Sequence, residues 1–151
     1  MLDDVDRRIL RQFQAAPEMS VAQLAERCFL TTASCWRRLE KLESSGVILG
    51  HEAVVDWQAL GFGVEVSLRI TLDKTQSSAF DDFLTKARDV PEVLEVQTFL
   101  GRVDVRLLVI ARDMAHYQDV YRSQILSLPH IADIEALMHI ARLKSDEVLP
   151  I

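Results

Sequence analysis

The sequence predicts an α+β protein in two parts, a helical N-terminal third and a C-terminal domain around a four-stranded sheet, and three observations carry that prediction. Residues 1–50 hold three amphipathic helical stretches with breaks between them. At residue 64 the apolar period drops from 3.6 to 2. From there strand and helix signals follow in the order β-α-β-β-α-β.

The first helix is predicted from a cap at Asp3 to about Gln14. Asp4 and Asp6 stand in its first turn, where the helix dipole favours negative charge, and Val5, Ile9, Leu10 and Phe13 make its buried stripe. Pro17 breaks the chain. Ser20 and Gln23 then form a capping box ahead of Val21, Leu24, Ala25 and Cys28, which line an inner face. A short turn at Phe29 and Leu30 follows.

Thr31 caps the next helix, and Gly46 suits the position just past its end. Cys35, Leu39 and Leu42 fall on one side and face the core. At about 100° per residue, Ala33, Ser34, Arg37 and Lys41 land opposite, with Arg38 and Trp36 on the flanks. Trp36, beside an apolar stripe, reads as a packing residue before a backbone contact. An ordinary surface helix with a few arginines has this same pattern, but two helices joined by a turn of two or three residues, with converging apolar faces, make a helix-turn-helix. Such a helix enters a major groove with small residues first and cations one turn later. The candidate DNA contacts are therefore Thr31, Thr32, Ala33, Ser34, Arg37, Arg38 and Lys41, with Arg37 and Lys41 on bases or phosphates and Ser34 and Arg38 holding the backbone.

Residues 47–55 read as a strand or wing that leaves this domain. The expected division is a winged-helix-like DNA-binding domain over 1–50, a linker strand over 51–62 and a sheet domain over 63–151. Val64, Val66, Leu68, Ile70 and Leu72 alternate with polar neighbours as a half-buried strand. Ser77 or Ser78 caps a helix to about Arg88 that buries Phe80, Phe83, Leu84 and Ala87. Strands are expected over 93–100 and 105–111, joined by the turn Gly101-Arg102-Val103-Asp104. Asp113 caps a helix to Ser127 buried through Met114, Tyr117, Tyr121 and Ile125, and the last strand is expected over 134–143. The order is that of the ferredoxin-like split motif, with both helices on one face of an antiparallel sheet. Its other face carries Leu108, Ile110 and residues near Phe99, so a second copy of the chain is the expected cover.

A net charge of −6 is at odds with nucleic-acid binding until the chain is divided. Residues 1–50 carry seven Lys and Arg against seven Asp and Glu; residues 51–151 carry ten against sixteen, which is the whole excess. The acidic remainder repels DNA and orients the molecule. No stretch approaches eighteen apolar residues and residues 1–8 lack the apolar run of a signal peptide, so a cytoplasmic protein without a membrane partner is expected. Cys28 and Cys35 form no CxxC and read as buried, reduced small hydrophobes. His51, His116, His130 and His139 are scattered without ligand spacing, and no nucleophile and base pair or phosphate loop occurs; no metal, cofactor or catalytic set is expected.

Over essentially its full length the chain resembles the leucine-responsive/asparagine-type (Lrp/AsnC) family of transcriptional regulators. The matching pieces are LDDVDRRIL, SVAQLAERCFLTTASCWRRLEKLESSGVI, AVVDWQALG, PEVLEV, the GRVD turn and the closing LKSDEVLPI. The LTT-x-x-CW-x-RL form is similar to one branch, some of whose members respond to sulfur amino acids. The resemblance implies a ferredoxin-like regulatory domain that pairs into homodimers, assembles into octamers in many members, and binds an amino acid or similar small-molecule effector between dimers. It places the effector region at Gly101, Arg102 and Asp104 together with the facing part of the last strand, Glu135, Ala136, Leu137 and Met138. Asp104 suits an α-amino group and Arg102 a carboxylate; the same turn reads equally well as a hairpin whose Asp satisfies backbone N–H groups.

Two departures from the family pattern stand out. The Thr and Ser common in the last strand are replaced by residues 135–139, EALMH, which removes hydroxyls that bind a zwitterion. Phe29 occupies the inter-helix turn where Gly or Asn is usual, and a positive φ there strains the backbone by about 1 kcal/mol. Two other classes remain beside the regulator: a DNA-architectural protein that ignores ligands, and a small-molecule enzyme on a ferredoxin-like dimer. Effector-dependent DNA affinity separates the first and substrate turnover the second.

Overall fold

A computed structural model describes residues 2–144 and 148–151, so Met1 and, from the closing motif, Ser145, Asp146 and Glu147 lie outside the described residues. The chain divides into two compact units, Met1–Val54 with Lys144–Ile151, and Val55–Leu143.

The first unit is three helices, α1 (Asp4–Ala15), α2 (Val21–Arg27) and α3 (Thr32–Ser44). Each begins on the residue the sequence marks. Asp3 and Asp6 form a reciprocal capping box at α1, Ser20 and Gln23 do so at α2, and the Thr31 hydroxyl accepts the Ser34 N–H at α3. Ile9, Leu24, Ala25, Cys28, Cys35, Leu39 and Leu42 close the core, with Val5, Leu10, Phe13, Val21 and Leu30 packed against it. Burial of each such large aliphatic side chain contributes about 1.5–3 kcal/mol, which is what assembles helices this short. Residues 148–151 pack onto α1. The Gln14 amide bonds both backbone groups of Leu149, at 2.8 and 2.9 Å, and Arg11 Nε donates to the Ile151 carbonyl at 2.6 Å. This tail, expected in the sheet domain, thus belongs to the helical unit.

The wing is a correction. Within the single chain residues 47–56 contain no strand and residues 57–61 form turns, where a wing and a linker strand are expected. Apolar residues there pack singly: Ile48 lies on the helical core, while Leu49 and Val54 are exposed. With no partner strand beside them, their backbone groups have no ladder to join.

The second unit has β1 (Val64–Leu72), α4 (Ala79–Ala87), β2 (Val93–Thr98), β3 (Val105–Ala111), α5 (Met114–Val120) running on into a π-helical turn (Tyr121–Ile125), and β4 (Ile131–Met138). The antiparallel sheet has the order β2-β3-β1-β4, which is the split βαββαβ topology. Val66, Leu68, Ile70 and Leu72 of β1 and Val105, Leu107 and Val109 of β3 share the inner core with Phe83 and Ala87 of α4 and Tyr117 and Val120 of α5.

Local expectations shift in five places. Ser78 precedes α4 without capping it, because its hydroxyl is turned to Asp82 Oδ2 at 2.9 Å. Met114 is exposed at the first helical position. The β2 strand stops at Thr98 because the Phe99 N–H closes onto the Asp104 carbonyl. The β4 strand starts three residues earlier than expected, where His130, at φ 62°, turns the chain after Pro129 and lets Ile131 pair with Leu72. Leu108 and Ile110, on the sheet face away from the helices, are already buried within the single chain, beside their cross-strand neighbours Glu65, Ser67 and Glu95.

Asp104 fastens the β2–β3 turn to β1. Its carboxylate, 3% exposed as a residue, accepts the Leu72 N–H at 2.9 Å and lies 2.6 Å from Lys74 Nζ, while its own N–H donates to the Ile70 carbonyl. Burial pushes this carboxyl up, but the Lys74 ammonium and the Leu72 amide outweigh it and hold the group below its ordinary value. A depressed carboxylate stabilises the fold above its unfolded value of about 3.9 and loses that contribution as pH falls through the lower folded value. Asp104→Asn therefore costs about 1 kcal/mol at neutral pH. The gap between wild type and variant in thermal unfolding closes as pH drops below about 4; a gap independent of pH would remove the charge from the account.

Candidate nucleic-acid interface and effector turn

Helix α3 has a fixed phase because Cys35, Leu39 and Leu42 must be buried, and everything on the other side follows from that. Thr31, Thr32, Ala33, Arg37 and Lys41 are exposed and Ser34 is half-buried. Among the described residues neither the Arg37 nor the Lys41 side chain has an ion-pair or hydrogen-bond partner, while the Lys41 carbonyl accepts the Ser44 hydroxyl. The helix thus presents small residues over its first turn and two uncommitted cations over the next two, spaced i and i+4 on one face.

Arg38 is different. Its Nη1 lies 2.8 Å from Asp3 Oδ2 and 2.6 Å from Asp6 Oδ1, so the guanidinium is spent on the capping box of α1. Asp6 is almost wholly buried, and Arg38 is its charge partner. The bond from Arg38, with the Asp6 N–H behind it, holds the Asp3 carboxyl below its ordinary value. Arg38 is expected to hold the DNA backbone; in the folded chain its guanidinium bonds Asp3 and Asp6 and ties α3 to α1.

Trp36 is 59% exposed, an aromatic on the flank of α3 where packing was expected. Cys28 and Cys35 are fully buried, and burial pushes both thiols up, away from the reactive thiolate. The inter-helix turn ends α2 by bonding Phe29 N–H to the Glu26 carbonyl at 3.1 Å and Leu30 N–H to the Ala25 carbonyl at 2.9 Å. Phe29 takes φ 55° in doing so, the strained conformation that its place in the turn predicted.

In the sheet domain, Gly101 and Asp104 line a cavity of about 440 Å³ with Lys74, Phe80, Thr98, Phe99 and Leu100. Lys74 was not anticipated from sequence; its distance from the GRVD turn along the chain hides it. Gly101 does not adopt a positive φ and a Cβ there would meet nothing, so the turn itself does not demand glycine. Arg102 is exposed, and its carbonyl accepts the Thr71 hydroxyl. Glu135, Ala136, Leu137 and Met138 are not brought to this cavity. They pair with Arg69, Leu68, Ser67 and Val66, running away from the turn with β1 between them and β3, and Glu135 meets Arg69 at 3.6 Å. No group of His, Cys, Asp and Glu among the described residues is arranged to hold a metal, and no described helix is long and apolar enough to cross a membrane.

Comparisons with known proteins agree on both units. A family model described as a winged helix-turn-helix DNA-binding domain matches residues 2–48, and one described as the Lrp/AsnC ligand binding domain matches residues 65–149. The chain is 32% identical to the DNA-binding transcriptional activator DecR of Escherichia coli over 151 residues, covering all of this chain and 99% of that protein. It is 30% identical to the glutamate uptake regulatory protein of Zymomonas mobilis, with 99% and 91% covered. Among solved structures, a transcriptional regulator of Neisseria meningitidis in complex with L-methionine superposes with a TM-score of 0.91 at 26% identity, over 99% of this chain and 97% of that one. An AsnC family regulator of Agrobacterium tumefaciens gives 0.84 at 31%, with the same coverage.

The division of labour between adjacent arginines is measurable. Arg38→Ala strips the buried Asp6 of its charge partner and destabilises the helical unit by about 1–3 kcal/mol, whereas Arg37→Ala leaves thermal stability within about 0.5 kcal/mol. Equal effects of the two on chemical or thermal unfolding would refute the assignment.

Proposed function

The chain belongs to the Lrp/AsnC family of DNA-binding transcriptional regulators, and from that premise we propose that it reads duplex DNA with the outward face of α3, under control of an amino acid held by the sheet domain. The observation that carries the DNA half is the pair of uncommitted cations, Arg37 and Lys41, behind a first turn of small residues. Arg37 suits a guanine edge, Lys41 a phosphate, and the Thr31, Thr32, Ala33 and Ser34 surface lets the helix end approach the base pairs. Localisation is read from the target: duplex DNA as ligand suits a protein of the cytoplasm.

The effector half rests on the cavity beside the GRVD turn and on the whole chain's likeness to a regulator solved with L-methionine. Asp104 is already engaged by Lys74 and Leu72, so an incoming ammonium group competes with Lys74 for the carboxylate, and Lys74, once freed, is placed to meet the ligand's carboxylate. Since β1 separates that turn from Glu135 to Met138 within one chain, both parts of the expected effector region act on one ligand only where a second copy supplies the other half. We therefore propose a homodimer as the minimal unit, with higher assembly built on it.

The test is a selection of preferred duplexes from a random pool, followed by titration at fixed salt with and without each amino acid, L-methionine first. Arg37→Ala weakens binding to the selected duplex by about 1–3 kcal/mol while sedimentation shows an unchanged assembly. Wild-type preference lost in no variant removes α3 from the interface; affinity unmoved by any amino acid leaves the architectural reading in its place.

A further inference from the structure

The turn leading into α3 carries two costs that the fold does not repay. Phe29 sits at φ 55°, a conformation that glycine and asparagine tolerate and a bulky side chain resists. The residue is 87% exposed and belongs to neither the core of the helical unit nor the residues packed against it. The bonds that end α2 there are made by backbone groups alone, so the turn has no use for the ring. Glycine would serve the fold better on both counts. A strained, exposed aromatic points to a use outside the folded chain.

We infer that Phe29 is a DNA-contacting residue whose ring meets a thymine C5-methyl group in the major groove. The inference rests on α3 being the DNA-reading helix and adds a specificity contact to it. Phe29 stands two residues before the Thr31 cap, so the two Cα atoms are within about 7 Å of each other. That is the end of the helix that reaches base edges. Thr31, Thr32 and Ala33 beside it are small and exposed, which leaves the ring unobstructed. A phenyl ring has no donor for a phosphate, and the apolar group that base pairs present in the major groove is the thymine methyl. The left-handed backbone at residue 29 is then the strain that holds the ring away from its own domain.

The experiment uses the full chain and a duplex selected by the wild type. Phe29→Gly and Phe29→Asn raise the thermal midpoint by a few degrees and weaken binding to that duplex about tenfold, with the salt dependence and the affinity for random DNA unchanged. Phe29→Tyr keeps the ring and keeps the affinity. Replacing thymines one at a time by deoxyuridine finds a position at which the wild type loses affinity and Phe29→Gly loses nothing further. If Phe29→Gly binds as tightly as wild type while Arg37→Ala does not, the ring contact is overturned and the reading of α3 stands. If neither variant weakens binding, both fall. A loss in Phe29→Gly with no uridine-sensitive position, or one accompanied by a changed sedimentation coefficient, overturns the thymine contact in favour of a sugar edge or a second copy. A lowered thermal midpoint in Phe29→Gly assigns the ring to the fold and overturns the inference.

Discussion

Burial of Cys35, Leu39 and Leu42 against Ile9 and Leu24 is the constraint that sets the outward face of α3. An α-helix has one rotational degree of freedom about its axis, and an apolar stripe at i, i+4 and i+7 removes it. Once those side chains are inside, Arg37 and Lys41 have no choice but to face out. The clasp from Arg38 to Asp3 and Asp6 then fixes the remaining freedom, the tilt of α3 against α1. Caps hold the N-terminal end of each helix, the core holds the buried stripes, and the clasp ties the middle of α3 to the N-terminal end of α1.

This also explains which site residues were legible in the sequence. Periodicity assigns a residue to a face, so Arg37, Lys41 and the buried stripe could be read directly. A flank residue is ambiguous by construction, because its fate depends on what stands beside the helix. The partners of Arg38 lie more than thirty positions away along the chain. A helical wheel has no term for them. Trp36, on the other flank, missed in the opposite direction and ended in solvent. The Phe29 turn was legible because its conformation is local: a short turn closed by backbone bonds onto the end of α2 commonly takes one left-handed residue.

The sheet domain shows the same boundary between local and distant information. Strand order and helix faces follow from alternation and period, and the βαββαβ arrangement emerged intact. Strand ends did not, since they depend on events such as the His130 turn and the closure of Phe99 onto Asp104. The wing was inferred from apolar residues alone, and apolar residues without a pairing strand do not make one. Asp104 was read as either a ligand group or a turn anchor. In the folded chain it is a turn anchor, held by Lys74 and the Leu72 amide, and that makes any ligand role a competition with bonds already formed.

The charge distribution then decides how the two units depend on each other. Arg37 and Lys41 are the uncommitted cations of α3, and with Lys41 on a phosphate and Arg37 on a base edge each copy contributes a salt slope of only about −1. Such a surface is weak alone, and the acidic excess of residues 51–151 adds repulsion in place of non-specific attraction. Useful affinity has to come from repeating the surface on one duplex, where a second head binds at the high effective concentration set by its tether. In the proposed homodimer a second copy of the chain supplies that repetition. A ligand that alters the assembly therefore changes DNA binding by whole heads at a time, without touching a residue of α3.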